Sequence, residues 1–504
     1  MKTIRIICRD SRLSLIQARM TAQKIREQRP GTEVQILTRS SRGDRETDVP
    51  LSSVDGSDFF TEEISAALAA GEADLAVHSL KDMSAPHFFR HDAFAVLDRD
   101  DVRDVAVFHP GVLSKLAQGE TLVMGTCSPR REDMAMAFLQ KGLPQLKGTP
   151  RISVVPIRGN VENRLRQVSE GRMDGTILAT AGLNRLLRDA EAGPIVRSIL
   201  KDLRLMVLPL FECTPAPCQG AIVVEASPAD SEMCDLLKEL NDVIHFKHAC
   251  AEKKRAWTYG TGCLQRFGVV SIQADGQSYL FASGVDQHGK AFTEWEGLPE
   301  LQMAENELFS STDYMSAFFR YQQTIDQIHI DTPVVFIANH KALQYGQSGN
   351  VIKDRRVWVS GTRTWKELAK QGIWVEGSAD ALGMEQLIPV WNMPLIGIKP
   401  TEITILTHGK AADRWQKKGY QAIAPYNLGG ADLGGADLGG RRYFFWTSSA
   451  QYELLCQRLG KDVTHICTSG ETLNLLREKG IDPIVFPTIQ SFEWWRKQNS
   501  NRKI

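Results

Sequence analysis

Ala73-Asp74-Leu75-Ala76-Val77-His78-Ser79-Leu80-Lys81-Asp82 starts as a short apolar run and ends in polar and charged residues around one leucine. Met83-Ser84-Ala85-Pro86 follows, and proline, having no N–H, does not extend a central strand. The stretch therefore predicts a buried strand whose carboxyl end carries a carboxylate (Asp82) and an ammonium (Lys81) into a cleft. In open α/β sheets the ligand site lies at the carboxyl ends of the strands. Taken alone, such a pair is more often a surface ion pair in a loop. What favours a site is that other strand ends nearby repeat the arrangement with arginine.

Working outward, residues 4–9 predict a first strand, and Asp10 and Ser11 cap a helix over about 13–27. Arg9 then sits at a strand-to-helix turn, where free N–H groups and the helix dipole favour anions. Residues 34–38 read as a second strand. A long polar loop over 40–58 follows, closed by Phe59 and Phe60, and an amphipathic helix runs to about 70. The charge-rich run near 98–104 marks a crossing into a second domain. After a strand at 122–124 comes Gly125-Thr126-Cys127-Ser128-Pro129-Arg130-Arg131, with Ser128 as N-cap and Pro129 as first helical residue. Arg130 and Arg131 oppose the dipole there, which predicts a bound anion. A strand over 152–157 leads through Arg158-Gly159-Asn160 into a helix bearing Arg164. A strand over 173–180 leads through a turn at Gly182 to Arg185. Residues 205–208 and 219–225 are expected to be strands returning to the first domain. Helices over 232–241 and 246–257 lead to Cys263 in a glycine-flanked turn and a small antiparallel sheet. By spacing alone such a cysteine is more often inert core than reactive thiol.

Bulk composition narrows the function. The 504 residues call for about three to five domains. Lys+Arg and Asp+Glu are equal at 60 each, which argues against nucleic acid as the main partner. No apolar run reaches the length of a membrane span. The start reads as a strand rather than a signal peptide. Nine scattered cysteines without a Cys-x-x-Cys predict reduced thiols in a cytoplasm and no metal site. Several strand-end arginines in a chain of zero net charge imply a site that collects carboxylates or phosphates. Arginine suits carboxylate through its bidentate fork, and no Walker-type glycine loop is present.

Residues 1 to about 325 resemble hydroxymethylbilane synthase, also called porphobilinogen deaminase. The segments that carry the likeness are Ile-Cys-Arg-Asp-Ser-Arg-Leu-Ser-Leu-Ile-Gln (7–17), Ser-Arg-Gly-Asp (41–44), the opening stretch 73–82, and Gly-Thr-Cys-Ser-Pro-Arg-Arg (125–131). Ile-Arg-Gly-Asn-Val-Glu-Asn-Arg-Leu (157–165), Ile-Leu-Ala-Thr-Ala-Gly-Leu-Asn-Arg-Leu (177–186), Pro-Ala-Pro-Cys-Gln-Gly-Ala (215–221) and Gly-Cys (262–263) follow in order. The resemblance implies an α/β fold of two periplasmic-binding-protein-like lobes plus a small α/β domain. It places the first domain at 1–98 and 205–225, the second at 99–204 and the third at 226–325. The implied reaction joins four porphobilinogens head to tail with loss of ammonia, on a dipyrromethane cofactor held by a thioether to Cys263. Asp82 matches the catalytic aspartate. Cofactor binding falls to Lys81, Ser11, Ser128, Arg130 and Arg131, and substrate binding to Arg9, Arg158, Arg164 and Phe60. Two departures stand out: Ser53 and Ser57 replace lid lysines, and Leu264-Gln265-Arg266 replaces the usual Gln-x-Pro.

Residues 326–504 hold an internal repeat. Val335-Phe336-Ile337-Ala338-Asn339-His340 resembles Phe444-Phe445-Trp446-Thr447-Ser448-Ser449, and the helix from Thr364 resembles that from Thr472, at an offset of roughly 108 residues. Two parallel α/β lobes are expected, at about 333–426 and 441–504. The tandem Leu-Gly-Gly-Ala-Asp repeat inside 427–440 reads as a flexible linker. The region resembles uroporphyrinogen-III synthase, which implies closure of the linear tetrapyrrole with inversion of ring D and loss of water. Tyr426, Ser448, Ser449 and Thr472 are the cleft candidates. No opening strand ending Thr-Arg-Pro is found between 290 and 333, so one lobe is expected to lack its first strand–helix unit. Two other readings stay open: a deaminase with a degenerate C-terminal domain, and a solute-binding module with no use for Cys263. The sequence leaves the oligomeric state open, with a monomer allowed.

Overall fold

The computed structural model describes residues 3–40, 61–260, 265–314, 318–345, 351–430, 438–460 and 462–500. The chain forms two compact units. One holds residues 1–141, 145–271 and 280–293, and the other holds 142–144, 272–279 and 294–504. Among the described residues, no helix is long and apolar enough to cross a membrane.

The first unit opens with β1 (Ile4–Arg9), β2 (Val34–Arg39), β3 (Leu75–Ser79) and β4 (Phe94–Val96). Next come β5 (Asp104–Phe108), β6 (Thr121–Gly125), β7 (Arg151–Val155), β8 (Gly175–Ala179), β9 (Arg204–Val207) and β10 (Ile222–Ala226). These strands make two sheets of matching design, ordered β2-β1-β3-β10-β4 and β7-β6-β8-β5-β9. In each, three parallel strands are followed by an antiparallel one. That antiparallel strand is the first one laid down after the chain arrives from the other lobe. The central strands β3, β5, β8 and β10 are buried on both sides, while the edge strands β2, β7 and β9 are partly exposed. The helix Arg12–Gln28, capped by Ser11, lays Ala18, Ala22 and Ile25 against Leu75, Val77 and Val224.

Three sequence expectations change here. Residues 204–207 do not return the chain to the first lobe; they form the edge strand β9, with Val207 opposite Val105. An edge strand and a returning strand share one apolar pattern, and pairing decides between them. The return is made by residues 208–221, whose Pro209, Pro215 and Pro217 suit irregular chain. No turn intervenes at Gly182, which lies inside the helix Thr180–Arg188. The helix Ser231–Leu240, expected in the third domain, packs Met233, Leu236 and Leu237 into the first lobe's core. After it come the helix Val243–Tyr259 and the sheet β11-β12-β13 (Arg266–Ala274, Gln277–Val285, Ala291–Glu296).

In the second unit, β15 (Phe319–Gln323), β16 (Val334–Ile337), β17 (Arg356–Val359), β18 (Gly377–Ser378), β19 (Ile403–His408) and β20 (Gln421–Gly430) form one sheet, ordered β15-β20-β19-β16-β17-β18. A second sheet is ordered β14-β21-β22-β23: Leu308–Ser310, Tyr443–Trp446, Thr464–Thr468 and Ile484–Phe486. Its first member lies within 290–333, where no opening strand is legible in the sequence. Leu308 pairs in parallel with Tyr443, so the second lobe takes its first strand from chain that precedes the first lobe. Three residues are too few to show a period. The proposed linker is also shorter than expected. Residues 427–430 belong to β20, antiparallel to β15, with Gly429 opposite Arg320. Glycine weakens a strand but does not prevent its backbone from pairing. Residues 431–437 lie outside the described ones.

Candidate functional site

The opening stretch folds as read: β3 is buried, then Leu80–Asp82 makes one tight helical turn. The Leu80 N–H donates to the Ala221 carbonyl at 3.1 Å, and Met83 N–H donates back to Leu80 at 3.2 Å. Lys253, from the helix Val243–Tyr259, donates its ammonium to the Met83 carbonyl. Asp82 and Lys81 are half-buried. Burial pushes the Lys81 ammonium below its ordinary range; Asp82 and Asp104 oppose that, while Arg131 and Arg130 add to it. The turn of the first lobe thus faces the arginines of the second.

Those arginines start a helix, as expected: Pro129 is its first residue, and a π-helical turn spans Arg131–Ala135. Such turns gather at functional sites. The Ser128 hydroxyl accepts from the Arg131 N–H at 3.4 Å. The anion predicted to offset the dipole is in part internal. Arg130 donates to Asp104 Oδ2 at 2.8 Å and to the Thr214 carbonyl at 2.6 Å. Arg131 donates to Asp104 Oδ1 at 2.7 Å and to the Ile177 carbonyl at 3.0 Å. Gln219 donates to the same Oδ1 at 2.9 Å. Burial alone would raise the Asp104 acid, but the two guanidiniums overcome it and hold the carboxyl well below the usual range. Asp104 went unpredicted, because a buried counter-ion is a matter of tertiary placement.

One carboxylate does not exhaust this positive charge. Arg131 keeps its buried Nε without a hydrogen-bond partner among the described residues. Arg164, one turn into the helix Val161–Ser169, donates Nε to the Gly159 carbonyl at 3.0 Å. Its guanidinium is pushed down to about 10, chiefly by burial, then by Arg131 and Arg158, with Cys127 opposing. Lys81, Arg130, Arg131, Arg158 and Arg164 therefore form one cluster. Arg9 ends β1 opposite Arg39, and Ser11 beside it caps the next helix, accepting from the Ser14 N–H at 3.2 Å. Arg185 belongs instead to the return segment 208–221: it is buried, donates to the Gly220 carbonyl and is pushed down to about 10, mainly by burial. Phe60, Cys263, Ser53 and Ser57 lie outside the described residues.

In the second unit Tyr426 is buried on β20, its ring 5.6 Å from Tyr321, 5.7 Å from Tyr345 and 6.3 Å from His408. Burial, then the two tyrosines, push its phenol up. The Lys341 ammonium lies 3.4 Å from the Tyr321 ring centre. Ser448 caps the helix Ser449–Leu455. Ser449 accepts from Arg414 at 2.9 Å. Thr472 is buried beside Glu471, which pairs with Lys418 at 2.5 Å and Arg414 at 3.5 Å.

Two lobes of one design, crossed twice, with cations converging from their strand ends, define a two-lobed α/β protein built to hold an anion. A family model described as "Porphobilinogen deaminase, dipyromethane cofactor binding domain" matches residues 4–235. The porphobilinogen deaminase of Thiobacillus denitrificans is 35% identical over 283 residues, covering 56% of this chain and 84% of that protein. That of Streptococcus sanguinis is 31% identical over 312 residues, covering 60% and 94%. A solved ABC transporter from Parabacteroides distasonis aligns at 12% identity over 53% of this chain and 82% of its own, with a TM-score of 0.28, too loose to inform the fold. The chain belongs to the porphobilinogen deaminase family, and residues 4–235 are its dipyrromethane cofactor-binding domain.

Proposed function

We propose that the first unit joins four porphobilinogens head to tail into hydroxymethylbilane, releasing ammonia, on a dipyrromethane attached to Cys263. The observation that carries this is the gathering of Arg131, Arg158 and Arg164, whose Arg164 guanidinium is pushed down chiefly by burial and further by the other two, although Asp104 already engages Arg130 and Arg131. Such a cluster suits a group bearing several carboxylates, and the unpartnered Arg131 Nε fits one of them. When bound, dipyrromethane supplies the pyrrole to which the chain is extended. Lys81, Ser11, Ser128, Arg130 and Arg131 would hold it; Arg9, Arg158, Arg164 and Phe60 would hold the incoming ring. Asp82 is half-buried beside the Lys81 ammonium, and its carboxylate would face the pyrrole N–H groups. There it would offset the positive charge that grows as the amine departs and take up the proton that the attacking ring sheds once the new carbon–carbon bond has formed.

For the second unit the proposal is closure of hydroxymethylbilane to uroporphyrinogen III. A six-stranded sheet, parallel but for β15, and a four-stranded parallel sheet, with Tyr426 buried on β20, support it. A competing reading is a degenerate structural region. It is favoured by Ser449, one of the cleft candidates, already being engaged by Arg414. Feeding porphobilinogen to the full chain and identifying the product isomer tests both units. Type III product supports both activities, and type I alone leaves the second unit without its activity. No tetrapyrrole at all would overturn the first. The described cysteines are all free, in keeping with a proposed reducing, cytoplasmic setting.

A further inference from the structure

Behind the Asp82 turn lies a polar cluster that the reaction does not use. Glu225, on β10, is fully buried, and five side chains converge on its carboxylate. At Oε2 the Ser65 hydroxyl donates at 2.8 Å, His78 Nε2 lies at 3.2 Å and His87 Nε2 at 3.6 Å. At Oε1 are Arg90 and, at 3.4 Å, His91 Nε2. Ser65 also reaches His87 Nε2 at 3.2 Å, closing the network. Desolvation works against the Glu225 charge, but His78, His87 and Arg90 outweigh it and hold the acid far below the ordinary carboxylate range.

The placement of these partners along the chain points to a role. His78 is on β3, just before the turn Leu80–Asp82, and His87 is on the short helix Ala85–Phe88 just after it. Arg90 and His91 follow directly. One carboxylate therefore grips the chain on both sides of the turn that presents Lys81 and Asp82. Without it, the turn would keep the Leu80–Ala221 and Lys253–Met83 backbone contacts, while the strand before and the helix after would lose their common anchor. A buried charge left with unpaired partners also forces them to move, because desolvated polar groups do not stay unsatisfied.

We propose that Glu225 is the positioning residue for Asp82: it touches no reacting atom, yet fixes where the Asp82 carboxylate sits. This rests on the reading that Asp82 serves the reaction, so the two are tested apart. In the full chain carrying its cofactor, Glu225→Gln is expected to lower kcat about 10- to 100-fold with KM within about twofold, as for a misplaced reacting group. Amide exchange should rise across 80–88 and stay unchanged in the second lobe, and Glu225→Asp should recover part of the rate. Wild-type kcat in Glu225→Gln, or a rate loss accompanied by raised exchange throughout the unit, would overturn the proposal. If Glu225→Gln does not fold, Arg90→Gln, which removes a half-exposed partner, carries the test. It should show the same local rise in exchange with a smaller loss of kcat, and no change in either would refute the role. An active Asp82→Asn would sink the catalytic reading, whereas the exchange result would still judge Glu225.

Discussion

The two units solve one electrostatic problem in opposite ways. In the first, cations gather faster than carboxylates: Asp104 binds Arg130 and Arg131, and Arg158, Arg164 and Lys81 press in on the same place. In the second, cations on one face of the helix Gly409–Lys417 and the residue after it are met one by one. Lys410 pairs with Glu453 at 3.0 Å, Arg414 with Glu471 and Ser449, and Lys418 with Glu471 and with Glu385 at 3.2 Å. A cluster with surplus charge is stable when a ligand brings the missing anions. A set of matched pairs leaves no surplus charge for a ligand to offset.

The largest test of this contrast is Asp82→Asn, which removes the one carboxylate proposed to face the reacting ring. Porphobilinogen consumption should fall at least 10²-fold, in the range general acid–base groups contribute, and a fully active variant would break the assignment. Next is Asp104→Ala, which leaves two buried guanidiniums without their shared partner. A loss of about 3–5 kcal/mol in unfolding free energy is expected from chemical denaturation. The sign with pH follows. Asp104 has its folded acid depressed, so its contribution is complete above the unfolded carboxyl range near 4 and fades only as pH falls toward the folded value.

In the second unit the titrating group is His408, pushed down to about 4 by burial, then Arg414 and Lys410, against Glu453. Below about 6.5 the unfolded histidine takes a proton that the folded one refuses, so stability should drop steadily from pH 6.5 to 4. His408→Gln should flatten that slope in thermal unfolding followed across the range. The smallest effect belongs to the matched pairs. Lys418→Ala should cost about 0.2–1 kcal/mol, shrinking with added salt, because the pair is partly exposed. A cost of several kcal/mol would mean that those pairs, rather than packing, hold the second unit.

Much of this was legible in the residues, for physical reasons. Short apolar runs ended by proline, glycine or a capping serine give β1, β3 and β6 nearly to the residue, since burial on both faces leaves little choice of composition. The helix start at Ser128-Pro129 is equally local. What stayed hidden depends on distant chain. β9 and a returning strand look alike until Val105 meets Val207. β14 is too short to announce itself and is fixed by Tyr443, far along the sequence. Asp104 and Glu225 each stand as a lone acid in an apolar strand, a signal that a buried partner exists but not which one.

The most direct measurement is the intact mass of the full chain purified from cells able to make porphobilinogen. A mass higher than the sequence by two pyrrole units, absent from Cys263→Ser, is the predicted result. A wild-type chain of unmodified mass, or an increment that survives the loss of Cys263, would contradict the thioether-anchored assembly of an acid-bearing pyrrole chain.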